Sequence, residues 1–218
     1  FDFEAGLSTQ IGFIVIIAGV TVLSVVRGLD RGIRVLSNFT MVLAIILLAY
    51  ILLVGPTGTI IKSYGDALVQ YGEAYLPLSN FVGREDTTYF HGWTIFYWAW
   101  WISWSPFVGL FLARISKGRT VREFIAVTLL APLAIATIWF SSFGTDAIYQ
   151  AKNGLGSLSG GIGDVSLVLF QLFDILPVGA MASLFALMLL IVFFVTSSDS
   201  GSLVIDGVAA GGKTNTPL

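Results

Sequence analysis

The residues best equipped for chemistry fall in one run, Trp93-Thr94-Ile95-Phe96-Tyr97-Trp98-Ala99-Trp100-Trp101-Ile102-Ser103-Trp104-Ser105-Pro106-Phe107, which holds five of the chain's six tryptophans. Steps of four, three, four, three and four connect Trp93, Tyr97, Trp100, Trp104, Phe107 and Phe111. On a helix these six share a face, with Trp101 beside it. An indole face attracts a cation through its ring quadrupole, at about 0.5–2 kcal/mol per ring. Several rings around one point suit a quaternary ammonium group, which carries charge but has no hydrogen-bond donor. Within the same run Pro106 removes one backbone bond and crowds the carbonyl of Ile102, leaving polar backbone near Ser103 and Ser105.

Two plainer uses of these rings compete with a ligand role. An interfacial aromatic belt is common in membranes. Yet Trp93 to Trp104 covers roughly 16 Å of helix, half a bilayer. The uncharged stretch 87–113 centres on residue 100. Trp93 suits a belt; Trp100, Trp101 and Trp104 lie too deep for one. Packing between helices is the other use. It is weakened because each buried indole N–H needs a partner and membrane helices prefer small residues at their contacts. Packing and ligand binding both stay open on the residues alone.

A second group with chemical potential is Phe193-Phe194-Val195-Thr196-Ser197-Ser198-Asp199-Ser200. Hydroxyls beside helix carbonyls supply the oxygen ligands that a hard cation such as sodium requires. Thr196 and Ser197 fit that role, although hydroxyls in membrane helices commonly bond back to the preceding turn. Asp199 is expected to be a solvated residue near a helix end, with ion tuning and proton carriage as the other readings.

The elements that must position these groups are set by composition. Of 218 residues, 56% are hydrophobic and 11% charged, against roughly 45–50% and 25% in soluble domains. With a mean hydropathy of +0.89, this excludes an ordinary soluble enzyme. A formal charge of −2 gives no basic field for nucleic acid. No cysteine is present, and His91 is the sole histidine, so neither a thiolate nor a histidine metal cluster is expected. A membrane-embedded enzyme would need ionisable groups in its spans, and only His91 approaches one. A channel or structural subunit with purely packing aromatics is a further alternative. The chain starts at Phe1 without a signal pattern, as expected of an internal piece of a longer membrane protein.

A bilayer core of about 30 Å takes roughly 20 apolar residues as helix. Five stretches qualify: 5–26, 35–57, 90–113, 122–145 and 177–198. An all-α membrane protein follows, because lipid-exposed backbone must satisfy itself and barrel alternation is absent. Arg27, Arg31, Arg34, Arg114, Lys117, Arg119 and Arg122 lie in alternate connections, whereas the other loops hold only Lys62, Arg84 and Lys152. The positive-inside rule puts the cation-rich loops in the cytoplasm. Between the second and third spans, Ile61, Tyr64, Leu68, Tyr71 and Tyr75 recur at steps of three and four, predicting an outer amphipathic helix over 59–76 that Pro77 stops. Segment 146–176 is expected to be extracellular. It combines the glycine-rich stretch 153–163 with a re-entrant or interfacial run over 165–176, serving as a gate or as a passive cap.

The sequence from Trp93 to Phe124, WTIFYWAWWISWSPFVGLFLARISKGRTVREF, resembles the signature of the betaine/carnitine/choline transporter (BCCT) family. The flanking DRGIRVLSN at 30–38 and FFVTSSDSGS at 193–202 are similar to that family in the same order. The resemblance implies part of a LeuT-type inverted-repeat transporter, a homotrimer in the cell membrane, carrying a quaternary ammonium solute such as glycine betaine and having no catalytic residues. It assigns substrate contact to Trp100, Trp101 and Trp104, and a place near the inner pathway to Phe96. It matches Thr196 and Ser197, with the Phe193 carbonyl, to ligands of a sodium site. The remaining ligands and aromatics are expected from helices that precede Phe1. Proton-coupled choline or carnitine transport is the variant reading within the family.

Overall fold

The computed structural model describes residues 6–26, 29–80, 82–85 and 87–211. Arg27, which entered the topology argument, lies outside them, as do the start of the first span and the tail beyond 211. The described chain is helical throughout: α1 (Leu7–Val26), α2 (Leu29–Val54), α3 (Thr57–Ser79), α4 (Thr87–Tyr89), α5 (Phe96–Ile115), α6 (Val121–Ile125), α7 (Ala131–Lys152), α8 (Val168–Phe173) and α9 (Gly179–Ala209). Two π turns, Phe90–Ile95 and Ala126–Leu130, join α4 to α5 and α6 to α7 into continuous rods. Helix is the form that lets such apolar sequence satisfy its own backbone.

Among the described residues, four helical stretches are long and apolar enough to cross a membrane: Val35–Val54, Phe90–Ala113, Val121–Lys152 and Gly179–Ala209. The expected first span appears as the shorter apolar stretch Leu7–Val22 within α1. The rods of 32 and 31 residues measure about 48 and 46 Å at 1.5 Å per residue. They exceed the hydrocarbon thickness and must tilt or project beyond it.

The chain forms two compact units, one from Phe1–Gly55 with Gln150–Leu218 and one from Pro56–Tyr149. In the first, α1 and α2 pack along α9. Leu43, Leu47 and Ile51, spaced four apart on α2, are fully buried in its core together with Ala182, Ala186 and Val195 of α9. Alanines at these α9 positions admit close backbone approach, the usual basis of helix contact in lipid.

The segment before α9 is packed rather than loose. Leu158, Leu172 and Phe173 are buried. The Tyr50 hydroxyl donates to the Pro177 carbonyl at 2.6 Å, and its ring meets Phe173 edge-on at 6.0 Å. Gln150 Nε2 donates to the Leu172 carbonyl at 3.0 Å. Two glycines permit this fold. Gly156 has φ +59° and lies where a Cβ would come within 2.6 Å of Ile175, while a Cβ on Gly179 would fall on the Phe173 carbonyl oxygen. Val178, just before α9, is held at φ 60° in the left-handed region.

The second unit holds α3 and the rods that carry α5 and most of α7. Helix α3 forms where the periodicity places it, but it runs to Ser79, through Pro77. A proline in the final turn costs only one bond. The turn regains contacts from the Asn80 amide, which donates to the Leu76 and Pro77 carbonyls, and from the Ser79 hydroxyl, which donates to the Tyr75 carbonyl at 2.7 Å. A capping box opens α6: the Glu123 amide donates to Thr120 Oγ1, and the Thr120 amide donates to Glu123 Oε2 at 2.9 Å.

Candidate functional site

Helix α5 carries the aromatic face as a ladder of rings. Trp93 stacks on Tyr97 at 5.9 Å and Tyr97 meets Trp100 edge-on at 6.0 Å. Beyond the next turn Trp104 stacks on Phe107 at 5.4 Å. Trp101 stands between two open hollows. One, of about 410 Å³, is lined by Trp100, Trp101, Trp104, Ser105, Val108, Gly109 and Leu112. The other, of about 450 Å³, is lined by Tyr97, Trp98, Trp101, Ile102 and Ser105. Both volumes fall in the range of small-molecule sites, and both walls are mostly apolar and aromatic.

The structure thus brings Trp100, Trp101 and Trp104 together around one hollow. Phe96 lines neither; its ring lies edge-on to Tyr97 at 5.7 Å, at the start of α5. The three tryptophans are 48%, 69% and 46% exposed, so α5 supplies one wall and any enclosure must come from elsewhere. At the proline break, the Ser105 hydroxyl donates to the Ile102 carbonyl at 2.9 Å and the Ser103 hydroxyl donates to that of Trp100 at 2.9 Å.

On α9 the hydroxyl cluster sits inside an unbroken helix that continues to Ala209, eleven residues past the span end expected at 198. The polar residues do not break it because they serve the helix backbone. Thr196 Oγ1 donates to the Phe193 carbonyl at 2.9 Å, and Ser200 Oγ donates to that of Thr196 at 2.9 Å. Phe193, Thr196 and Ser197 share one turn, with Ser197 exposed. A hard cation would take the Phe193 and Thr196 oxygens as ligands once the hydroxyl turned its proton away.

Asp199 corrects the sequence reading. It is fully buried, because α9 extends ten residues beyond it and α1 and α2 pack along that helix. Sequence reasoning also placed Asp146 in an outer loop, whereas it lies within α7. Ser142, Asp146 and Gln150 form a stripe spaced four apart, each no more than 2% exposed. The spacing was visible in the sequence, but the loss of apolar character after residue 145 masked the helix.

A family model described as betaine/carnitine/choline family transporter matches residues 1–218. The chain belongs to the BCCT family. Among curated relatives, glycine betaine transporter 1 of Vibrio parahaemolyticus is 51% identical over the whole of this chain and 42% of its own length. A glycine betaine/proline/choline/ectoine transporter of the same organism is 48% identical over the whole chain and 39% of its own length. The glycine betaine transporter OpuD of Bacillus subtilis is 40% identical over 99% of the chain and 42% of its own length. The chain therefore spans about two fifths of the length of these relatives. BCCT proteins are transporters rather than enzymes, and the apolar helices here are those of a multi-pass cell-membrane protein.

Proposed function

We propose that this chain is part of a secondary active transporter that imports a quaternary ammonium osmolyte, glycine betaine foremost, by sodium-coupled alternating access. The observation that carries this reading is the hollow walled by Trp100, Trp101 and Trp104 on a proline-containing helix of a BCCT chain. Its apolar, aromatic wall suits a trimethylammonium head, which cannot use hydrogen-bond acceptors. Phe96, one turn earlier, sits at the end of α5 that the cation pattern places outward, rather than toward the inner pathway that the family resemblance assigns it. Phe193, Thr196 and Ser197 contribute to the sodium site, the remaining ligands coming from helices outside this chain. The LeuT-type inverted repeat and the homotrimer belong to the same proposal.

Choline is the second solute, favoured by its place in the name of the relative that is 48% identical. Proton coupling would accompany that variant. The deciding experiment is uptake of labelled glycine betaine by cells making the intact transporter, with and without external sodium, beside Trp101→Ala. Sodium-dependent uptake that the substitution weakens supports both the tryptophan site and the coupling. Uptake weakened in the variant but indifferent to sodium moves coupling to protons. Uptake unaffected by Trp101→Ala removes the tryptophans from the site.

A further inference from the structure

The wall of the tryptophan hollow is uneven. Trp100, Trp101 and Trp104 form its broad part, and Ser105 and Gly109 line it further toward the C-terminal end of α5. Ser105 and Gly109 follow Trp101 at successive steps of four, so the three lie one turn apart along nearly the same line. The Ser105 hydroxyl is turned back to the Ile102 carbonyl at 2.9 Å, and Gly109 has no side chain. Together they leave a trough that starts at Trp101 and reaches about 12 Å along the helix.

Gly109 is the sole glycine of α5. A glycine inside a helix is destabilising relative to alanine, and nothing among the described residues calls for this one. Its backbone is regular right-handed helix, and a Cβ placed on it would meet no atom within 4 Å. The ring of Pro106 crowds the turn before it, at Ile102, and makes no demand three residues later. What Gly109 does supply is room in the wall of the hollow.

We infer that Gly109 is a specificity-determining residue of the tryptophan site, keeping open the trough that takes the tail of a trimethylammonium solute and so setting the length of solute the site accepts. The rings hold the head, which is the same throughout this class. Members of the class differ in the chain that leaves the nitrogen, and the trough runs away from the rings. A side chain at Gly109 would project into it and crowd the longer tails first.

This role deepens the transporter reading above and rests on it. The test measures binding of two ligands to the purified intact transporter through its tryptophan fluorescence. One is glycine betaine, whose carboxylate is one methylene from the nitrogen; the other is γ-butyrobetaine, whose carboxylate is three away. Alanine and leucine are both strong helix formers, so either fills the trough without weakening α5. Gly109→Leu is expected to shift the affinity ratio against γ-butyrobetaine by about tenfold, the factor that corresponds to about 1.4 kcal/mol. Gly109→Ala shifts it in the same direction by about threefold. An unchanged ratio in both variants, or equal losses for the two ligands, overturns the role of Gly109, as does a parent that binds glycine betaine but not γ-butyrobetaine. A Gly109→Ala protein that unfolds in detergent at a lower temperature than the parent also overturns it, because Gly109 would then be a helix contact of the intact protein. A parent that binds neither ligand overturns the transporter reading instead.

Discussion

At Trp101 the indole is 69% exposed to surroundings outside this chain, so removing it takes little from the packing of α5, and alanine is the best helix former. Trp101→Ala should therefore leave the membrane level of the transporter intact. It should raise the half-saturation concentration for glycine betaine by about 2- to 30-fold, the worth of one ring in a cation cage. Phenylalanine at this position should recover part of the loss. Saturation curves of uptake at matched protein level check this; a fall in protein level with unchanged affinity would mean that Trp101 only packs. Thr196 permits a parallel test, since the Phe193 carbonyl it bonds keeps its helical amide partner when the hydroxyl goes. Thr196→Ala is expected to raise the sodium concentration needed for half-maximal uptake by about tenfold, one lost ligand's worth of roughly 1.4 kcal/mol, while Thr196→Ser restores it. Sodium dependence identical to the parent would remove Thr196 from the ion site. The placing of these rings and hydroxyls on helix faces was legible in the sequence because it depends on local spacing alone. Asp199 was not legible, because its burial depends on α1 and α2, which are distant in sequence.

Elements show where local rules yield to their surroundings. The junction before α9 rests on Val178 in the left-handed region and on Gly179, whose Cα hydrogen faces the Phe173 carbonyl too closely for a side chain. A β-branched residue is strained there. Val178→Gly should accordingly stabilise the intact protein by about 1 kcal/mol. Gly179→Ala should displace α8 from α9 and lower the folded yield sharply. Thermal unfolding in detergent, followed by fluorescence, measures both, and a Gly179→Ala protein as stable as the parent would contradict the close contact. At the other end of the α7 rod, Thr120→Ala removes half of a capping box and should cost about 1 kcal/mol by the same measurement. That start signal was readable, and the rod begins at Val121 beside the expected 122. The ends were harder. Pro77 and the polar run 196–200 look like terminators, but one lies in a last turn and the other satisfies the helix with its own hydroxyls.

The whole molecule is oriented by its charges. Seven of its cations, from Arg27 to Arg34 and from Arg114 to Arg122, flank two alternate connections, and only Lys62, Arg84 and Lys152 fall in the others. Insertion holds cation-rich loops on the cytoplasmic side. The loop between α5 and α6 should then face the cytoplasm, and the segment between α7 and α9 should face outward. This orientation puts the hydroxyl cluster of α9 toward the cytoplasmic half of the membrane. Because this chain contains no cysteine, a substituted cysteine is its single thiol. Lys117→Cys lies in the first of these loops, and Ile162→Cys, at a position 65% exposed, lies in the second. A membrane-impermeant maleimide applied to intact cells should label Ile162→Cys at once, and Lys117→Cys only after the membrane is opened. The reverse pattern would invert the molecule, turning the sodium cluster toward the outer half and Phe96 toward the cytoplasm. Labelling of both from outside would mean that the rod from Val121 to Lys152 does not cross the membrane.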